Sequence, residues 1–435
     1  MIASRRFPCA VRGRLSTFGD IQKIRVVPRD VQVGLTAAPP AEARPKVALL
    51  TNMLAPYRIS FYRALGEFVD LTVLVDMLSE SNRSWVVDRK QLGFQLIEQR
   101  NRVHEHTYQR TDLGFSERAS LHLSEKTFSW LRRVRPDVVI SLELGLRSFW
   151  SLLYGRLHSV PVILMHEGTP HTQGAVPRTR KIWRHLLISD AARFWSNGLE
   201  STALLTSYGA VKGRIDEAMT GVDTITLRRQ VESLWRRRSE LRTSMQLSGT
   251  TLLYTGSLSG RKGLPQYLAA LSRLASRPTS AVFSVIFVGS GEHAADVARW
   301  AASHPAIRCV APGFLQPAEL LPFYVAADWG VLPTLDDNWP LATLEMLIAG
   351  LPQLFSVYNG ATPELHREGI TGVLINPLDE ADFDRALQSM LTADAQRVAP
   401  DVVAEYVDFY SAAAQARRAA RSIQQALANR RPAPK

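Results

Sequence analysis

The sequence predicts an α/β protein made of two doubly wound, parallel-sheet halves. Three observations carry that expectation. The chain has 435 residues, more than one compact core usually serves. A strand–loop–helix–strand rhythm begins at Lys46 and repeats. The same rhythm starts afresh at Thr251, after a basic amphipathic stretch over 227–245.

Residues 1–45 lack a periodic apolar pattern and close on the turn-rich Ala37-Ala38-Pro39-Pro40. They read as a basic, mostly disordered arm or as an over-long gene start. Val47-Ala48-Leu49-Leu50-Thr51 is short, apolar and β-leaning, the pattern of a buried strand. After a loop over 52–57, Ile59, Phe61, Tyr62, Leu65 and Phe68 recur at helical spacing, and 71–75 is the next strand. Helix 128–134, strand 137–140, helix 149–157 and strand 160–164 continue the alternation within a first domain over 46–225. Residues 226–250 read as a connector. The second domain, 251–400, has strands at 251–254, 283–288, 307–310, 329–332 and 353–355, with helices at 264–274, 317–326 and 340–349. In the segment 401–435, an Ala-rich helix over 411–427 has no strand after it, and its pattern alone makes it a cap on the second domain.

The composition, 46% hydrophobic and 21% charged, is that of a globular chain. No apolar run reaches the roughly 20 residues of a membrane span; the longest, 138–153, is interrupted by Glu143 and Arg147. No secretory pattern of basic, apolar and small residues opens the chain. Cys9 and Cys309 form neither a metal-ligand spacing nor a disulfide framework, which fits a reducing cytoplasm. The net charge is +12, and part of it sits at the ends, where the tail after Gln415 has arginines and no acid. Without an RNP strand or a zinc finger, an anionic membrane surface or an acidic substrate ranks ahead of nucleic acid as a partner. The oligomeric state is left open.

In open α/β sheets, ligands sit beyond the carboxyl ends of the strands, and phosphates sit at helix N-termini. Three segments meet that description. Gly256-Ser257-Leu258-Ser259-Gly260-Arg261-Lys262-Gly263 follows a strand, and its glycines let a ligand approach the backbone while Arg261 or Lys262 neutralises a diphosphate. The same turn serves equally well as a plain surface loop. Val288-Gly289-Ser290-Gly291 is a second strand-to-glycine turn, and alone it signals only a tight turn. In Asp336-Asp337-Asn338-Trp339-Pro340-Leu341, acid and amide side chains precede a helix, where Asp337 or Asn338 could simply cap it. Glu345 stands out in the apolar run 341–348, because a carboxylate there needs a partner, and ribose hydroxyls suit it.

Taken in order, these segments resemble the family 4 glycosyltransferases, enzymes of the GT-B fold. The resemblance covers 46–379. It rests on the 256–263 loop, on the Asp337-x7-Glu345 spacing followed by Ala349-Gly350-Leu351-Pro352, and on Asn359-Gly360 leading to Glu364. Gly313-Phe314-Leu315 before a helix, Gly369-Ile370-Thr371-Gly372 and Gly221-Val222-Asp223 add to it.

The resemblance implies two Rossmann-like domains facing a cleft, with the last helix crossing back to the first domain. It implies a retaining transfer from a UDP- or GDP-sugar to a glycan or lipid-linked acceptor, without a metal or other cofactor. Asp337 falls on the acid near the transferred sugar, where the family usually has Glu, and Glu345 on the acid that holds the ribose. Lys262 matches the diphosphate lysine. Ser257 occupies the place of the diphosphate arginine; either Arg261 supplies that charge from the next turn or the pocket works weakly. Gly289, Gly313, Phe314, Leu315, Asn338, Trp339, Pro340 and Leu341 complete the expected donor set. On the acceptor side stand Pro56, Tyr57, Arg58, Glu143 and Glu167, and His166 falls where the family often has an active-site histidine. The implied setting is surface polysaccharide or glycolipid synthesis at the inner face of the cell membrane. A non-catalytic or weakly active nucleotide-sugar binder, kept alive by Ser257, and an epimerase of the same fold are the alternatives.

Overall fold

The computed structural model describes residues 40, 43–78, 92–174, 176–277, 281–392 and 396–429. Most of the N-terminal arm, Arg430, Arg431 and Lys435 lie outside them. In the first half the strands are β1 (Lys46–Thr51), β2 (Asp70–Val75), β3 (Gln95–Glu98), β4 (Val103–Arg110), β5 (Phe115–His122), β6 (Val138–Leu142), β7 (Val162–His166), β8 (Arg193–Ser196) and β9 (Ile215–Glu217). Seven of them form one parallel sheet in the order β3-β2-β1-β6-β7-β8-β9, while β4 and β5 pair only with each other, antiparallel.

Residue alternation sorts this sheet's two cores. Val47 and Leu49 of β1 join Phe61, Tyr62 and Leu65 of the helix Pro56–Gly66. Ala48 and Leu50 point the other way, into the core shared with Leu131, Leu152, Leu187 and Leu205. Those four residues come from the helices Thr127–Val134, Leu146–His158, Arg178–Asp190 and Leu199–Ser207, which cover that face. Apolar side chains on both faces of a strand are what a sheet sandwiched between helices requires.

The second half repeats the plan with β10 (Thr250–Thr255), β11 (Phe283–Val288), β12 (Arg308–Gly313), β13 (Trp329–Leu332), β14 (Gln353–Ser356) and β15 (Gly372–Ile375). They form a six-stranded parallel sheet in the order β12-β11-β10-β13-β14-β15. Strand order reverses between β1 and β6 in the first sheet and between β10 and β13 in the second, and these are the switch points where such sheets hold ligands.

The structure corrects one expectation, the connector, and bears out another, the return of the last helix to the first domain that the resemblance implies. The stretch 226–250 is not a free connector. Its helices Thr224–Trp235 and Arg238–Ser244 lie on the second sheet, with Val231 buried against Leu253, Ile286 and Tyr324. Arg238 and Arg242 both pair with Asp328 at the start of β13. An amphipathic helix gains by burying its apolar stripe on the nearest sheet, so this one becomes part of the domain it introduces. The last helix, Ala412–Ala428, covers the first domain and not the second. Ala416, Ala419 and Ile423 complete the core under β1 and the helix Pro56–Gly66, and the Trp195 indole N–H donates to Ser422 at 2.9 Å. The preceding helix, Pro400–Tyr410, still packs on the second domain through Tyr406 and Val407, and the chain changes domain at Ser411, whose hydroxyl caps the last helix.

Candidate active site at the domain cleft

The donor loop begins where β10 ends. Gly256, Gly289 and Gly313 end or follow the three neighbouring strands β10, β11 and β12, and the Gly289 N–H donates to the Gly313 carbonyl at 2.9 Å. A β-carbon at Gly289 would fall 1.8 Å from the Gly256 carbonyl oxygen, so only glycine permits this approach. Ser257 follows, with its own carbonyl accepting the Tyr254 hydroxyl at 2.7 Å. Phe314 is exposed beyond Gly313, and Leu315 packs beside the core under β11.

Lys262, in the short 3₁₀ turn Gly260–Lys262, is ion-paired with Asp337. Burial lowers the Lys262 pKa, and the Asp337 carboxylate opposes it. Burial alone would lift Asp337, but Lys262 and Arg261 hold it below the usual carboxylate range. The plain alternative, that Asp337 or Asn338 simply caps the helix, is not what the structure has. The helix is Leu341–Ile348, its cap position is Pro340, and no side chain caps it. Asp337 is turned to the lysine, and Asn338 accepts a hydrogen bond from the Thr172 hydroxyl at 2.6 Å. Glu345, half-buried, accepts the Tyr324 hydroxyl at 2.8 Å. Burial raises its pKa and the tyrosine bond pulls it back. Tyr324 was not foreseen; it reads in sequence as one more apolar position of the helix Pro317–Ala326.

A pocket opens between the two sheets' carboxyl ends. The first domain lines it with Tyr57, Arg58, Glu167, Asn197, Thr220 and Gly221, and the second with Asp337, Asn338, Trp339 and Leu341. Pro56 starts the helix that carries Tyr57 and Arg58, and Arg58 is ion-paired with Glu167. His166, the last residue of β7, is buried, and both ring nitrogens lack a hydrogen-bond partner among the described residues. Burial pushes its pKa down to about 3, so near neutrality it is uncharged and serves as a dipole or hydrogen-bond donor rather than a cation. Glu143 lies apart from this pocket, at the end of β6, where it accepts the Asn52 amide at 2.9 Å with an unusual φ of 71°.

The β4–β5 hairpin reaches from the first domain onto the donor loop. Glu117 is ion-paired with Arg261, and the Arg110 guanidinium donates to Asp336 at 2.6 Å. The Tyr108 hydroxyl donates to the same carboxylate at 3.2 Å. Phe115 and Leu113 close an apolar contact with Leu335, and a β-carbon at Gly260 would come within 3.0 Å of Phe115. Arg261, expected on the diphosphate, is therefore engaged across the cleft. No sequence signal marks the hairpin, since the exposed part of β4 reads Glu105-His106-Thr107 without an apolar face. Among the described residues, no three His, Cys, Asp or Glu side chains gather to hold a metal ion.

Two facing parallel-sheet domains, with a last helix returning from the second to the first, define the GT-B fold. HepE of Anabaena, solved with UDP, shares it with a TM-score of 0.63 at 13% identity, over 87% of this chain and 99% of that one. Residues 249–393, within the second domain, match the family model described as glycosyl transferases group 1. The sulfoquinovosyl transferase SQD2 of Arabidopsis thaliana is 25% identical over 283 residues, 62% of this chain and 53% of that protein. The D-inositol 3-phosphate glycosyltransferase of Corynebacterium kroppenstedtii is 26% identical over 234 residues, 51% of each. The chain thus spans about half the length of the curated relatives it matches.

Proposed function

We propose that this protein is a retaining glycosyltransferase that moves a sugar from a nucleoside-diphosphate sugar to a glycan or lipid-linked acceptor. The observation that carries the reading is the Lys262–Asp337 ion pair, whose acid lines the interdomain pocket together with Arg58 and Glu167. A cation beside an acid at a switch point suits a diphosphate leaving group next to sugar hydroxyls. Glu345, with Tyr324 orienting it, holds the ribose. Lys262 and the backbone N–H groups at the start of the helix Leu341–Ile348 carry the leaving charge, so the transfer needs no metal. Gly289, Gly313, Phe314 and Leu315 border the base. Neutral His166 and the Arg58–Glu167 pair orient the acceptor. The setting is polysaccharide or glycolipid assembly at the cytoplasmic face of a membrane, and the UDP bound to HepE makes UDP-sugars the first donors to try.

Calorimetry with a panel of UDP- and GDP-sugars tests this. One donor binds wild type, and Glu345→Ala removes that binding while thermal unfolding stays unchanged. Wild-type-like affinity in the variant sinks the assignment. Ser257 and the paired state of Arg261 and Lys262 favour a second reading, a nucleotide-sugar binder without turnover. Donor binding with neither transfer nor slow donor hydrolysis would select it.

A further inference from the structure

One face of the first domain has no covering element among the described residues. It is the outer side of the layer formed by the helices Thr127–Val134, Leu146–His158 and Arg178–Asp190. Their inner sides bury Leu131, Leu152, Leu187 and Ile188 in the core. Their outer sides should then be polar, and they are not. Leu146, Trp150, Leu153 and Leu157 recur at spacings of four, three and four, an outward apolar stripe on a helix that already has an inward one. Leu157 is 59% exposed, and one helix away Ile182 and Leu186, four residues apart, are 63% and 58% exposed. Ring contacts knit the layer together: Phe128 meets Trp150, Phe149 meets Trp150, and Phe149 meets Trp183. Isolated exposed leucines need no explanation, but a contiguous apolar patch across adjacent helices does.

The charge on this face points to one occupant. Arg132, Arg133, Arg156, Arg178, Arg180 and Lys181 are exposed, and none has an ion-pair partner among the described residues. Asp190 is the one acid in the three helices. Arg133 lies over the Trp130 ring at 4.9 Å, which leaves its stem on the apolar surface with its head outward. Six cations with a single acid among them would repel a second copy of the same face and suit anionic headgroups. Tryptophan, leucine and isoleucine framed by arginine and lysine on helices lying side by side is the pattern of an interfacial surface, apolar groups in the acyl boundary and cations among anionic headgroups. No helix among the described residues is long and apolar enough to cross a membrane, so the contact would be made by lying on the bilayer.

We propose that this three-helix face of the first domain docks on an anionic lipid bilayer. The inference deepens the lipid-linked acceptor named above and rests on that reading only for its purpose. The helix Leu146–His158 starts beside the carboxyl end of β6, so its leading leucine lies on the cleft side of the domain, and a bilayer held on this face lies alongside the acceptor half of the cleft.

The test is vesicle co-sedimentation of the full chain. It uses vesicles of phosphatidylcholine alone and of phosphatidylcholine mixed with phosphatidylglycerol. Wild type should bind the mixed vesicles and lose that binding in high salt. Arg178→Glu with Lys181→Glu should lower the partition at least 25-fold, at about fivefold or more per charge. Ile182→Ser with Leu186→Ser should weaken it at low salt as well. These side chains are exposed, so thermal unfolding should not change in either variant, and UDP binding by the same preparations reports the cleft. Wild-type partition in both double variants overturns the proposal and moves the contact elsewhere, for example to the basic ends. No vesicle binding, with a wild-type dimer that Ile182→Ser and Leu186→Ser dissociate, overturns it in favour of a second copy. Vesicle binding without donor binding leaves this face standing and removes the transferase reading alone.

Discussion

Arg261, on the glycine loop of the second domain, is ion-paired with Glu117 on the β4–β5 hairpin of the first. Its guanidinium also donates to the Asp336 carbonyl at 2.9 Å. One of the two cations next to the proposed diphosphate site is thus held by an acid from the opposite domain. A donor diphosphate and Glu117 compete for it. Glu117→Gln should therefore tighten UDP-sugar binding, by roughly threefold to tenfold if the pair has the modest strength of a partly exposed ion pair. Calorimetry measures it. An unchanged or weaker affinity would show that the hairpin supports the donor loop rather than competing for its charge.

Lys262 gives a pH signature. Burial lowers its pKa below the ordinary 10.5 despite the opposing Asp337 charge. Its ammonium is therefore lost as pH rises through a value below that of a free lysine. Donor affinity should therefore begin to fade, as pH rises, below the pH at which an ordinary lysine gives up its charge. Lys262→Arg keeps its charge throughout and should flatten the profile. A wild-type affinity that holds constant up to that pH would separate donor binding from the lysine charge. Lys262→Ala should lose turnover. It should also lose some stability, about 1–3 kcal/mol, because it leaves Asp337 buried beside only the more distant Arg261.

The regular fold could be read from the sequence because each domain repeats one physical unit. An apolar strand buried on both faces, as at 47–51 and 251–254, followed by a helix of apolar stripe, leaves few alternatives. The donor residues could be read for a related reason: the glycine at 289 is forced by backbone approach and the one at 256 by its φ of 138°, and Glu345 is conspicuous in an apolar helix. What was illegible is what depends on the two domains meeting. Glu117, Tyr108 and Arg110 lie on a polar ribbon that buries little of its own, and nothing in 103–122 announces that Asp336 and Arg261 will be its partners. Tyr324 was hidden for the opposite reason, since a buried tyrosine in a helix looks like packing until its hydroxyl is seen on Glu345.

Glu364 joins the domains and should make their contact pH-sensitive. It sits in the turn of helix Thr362–Leu365 and accepts the Leu199 N–H of the first domain. Burial raises its pKa from 4.5 to about 8. The folded protein thus keeps this proton over a range in which the unfolded chain has released it. The resulting stability is fully present below the unfolded value of 4.5, declines as pH rises from there, and is gone above about 8. Thermal unfolding of wild type should fall over that window relative to Glu364→Gln, which keeps a neutral side chain of the same shape. Parallel curves for the two proteins would mean that Glu364 titrates normally.

Ser257 offers the most direct test of how well the diphosphate pocket is furnished. The residue is half-buried just past β10, and its backbone is fixed by the Tyr254 hydroxyl at 2.7 Å, so a longer side chain can be added without moving the loop. In the resembling family an arginine stands there, and the two cations left nearby are engaged by Glu117 and Asp337. Ser257→Arg should add one charge-assisted contact to the diphosphate, about 1.5–3 kcal/mol, or roughly 10- to 150-fold in affinity for UDP. A gain in affinity together with a gain in transfer would mark the natural protein as an enzyme with a weakened donor clamp. A gain in affinity without transfer would favour the binder reading. With no gain in affinity, and with Lys262→Ala also binding UDP as tightly as wild type, the diphosphate does not lie at this loop at all.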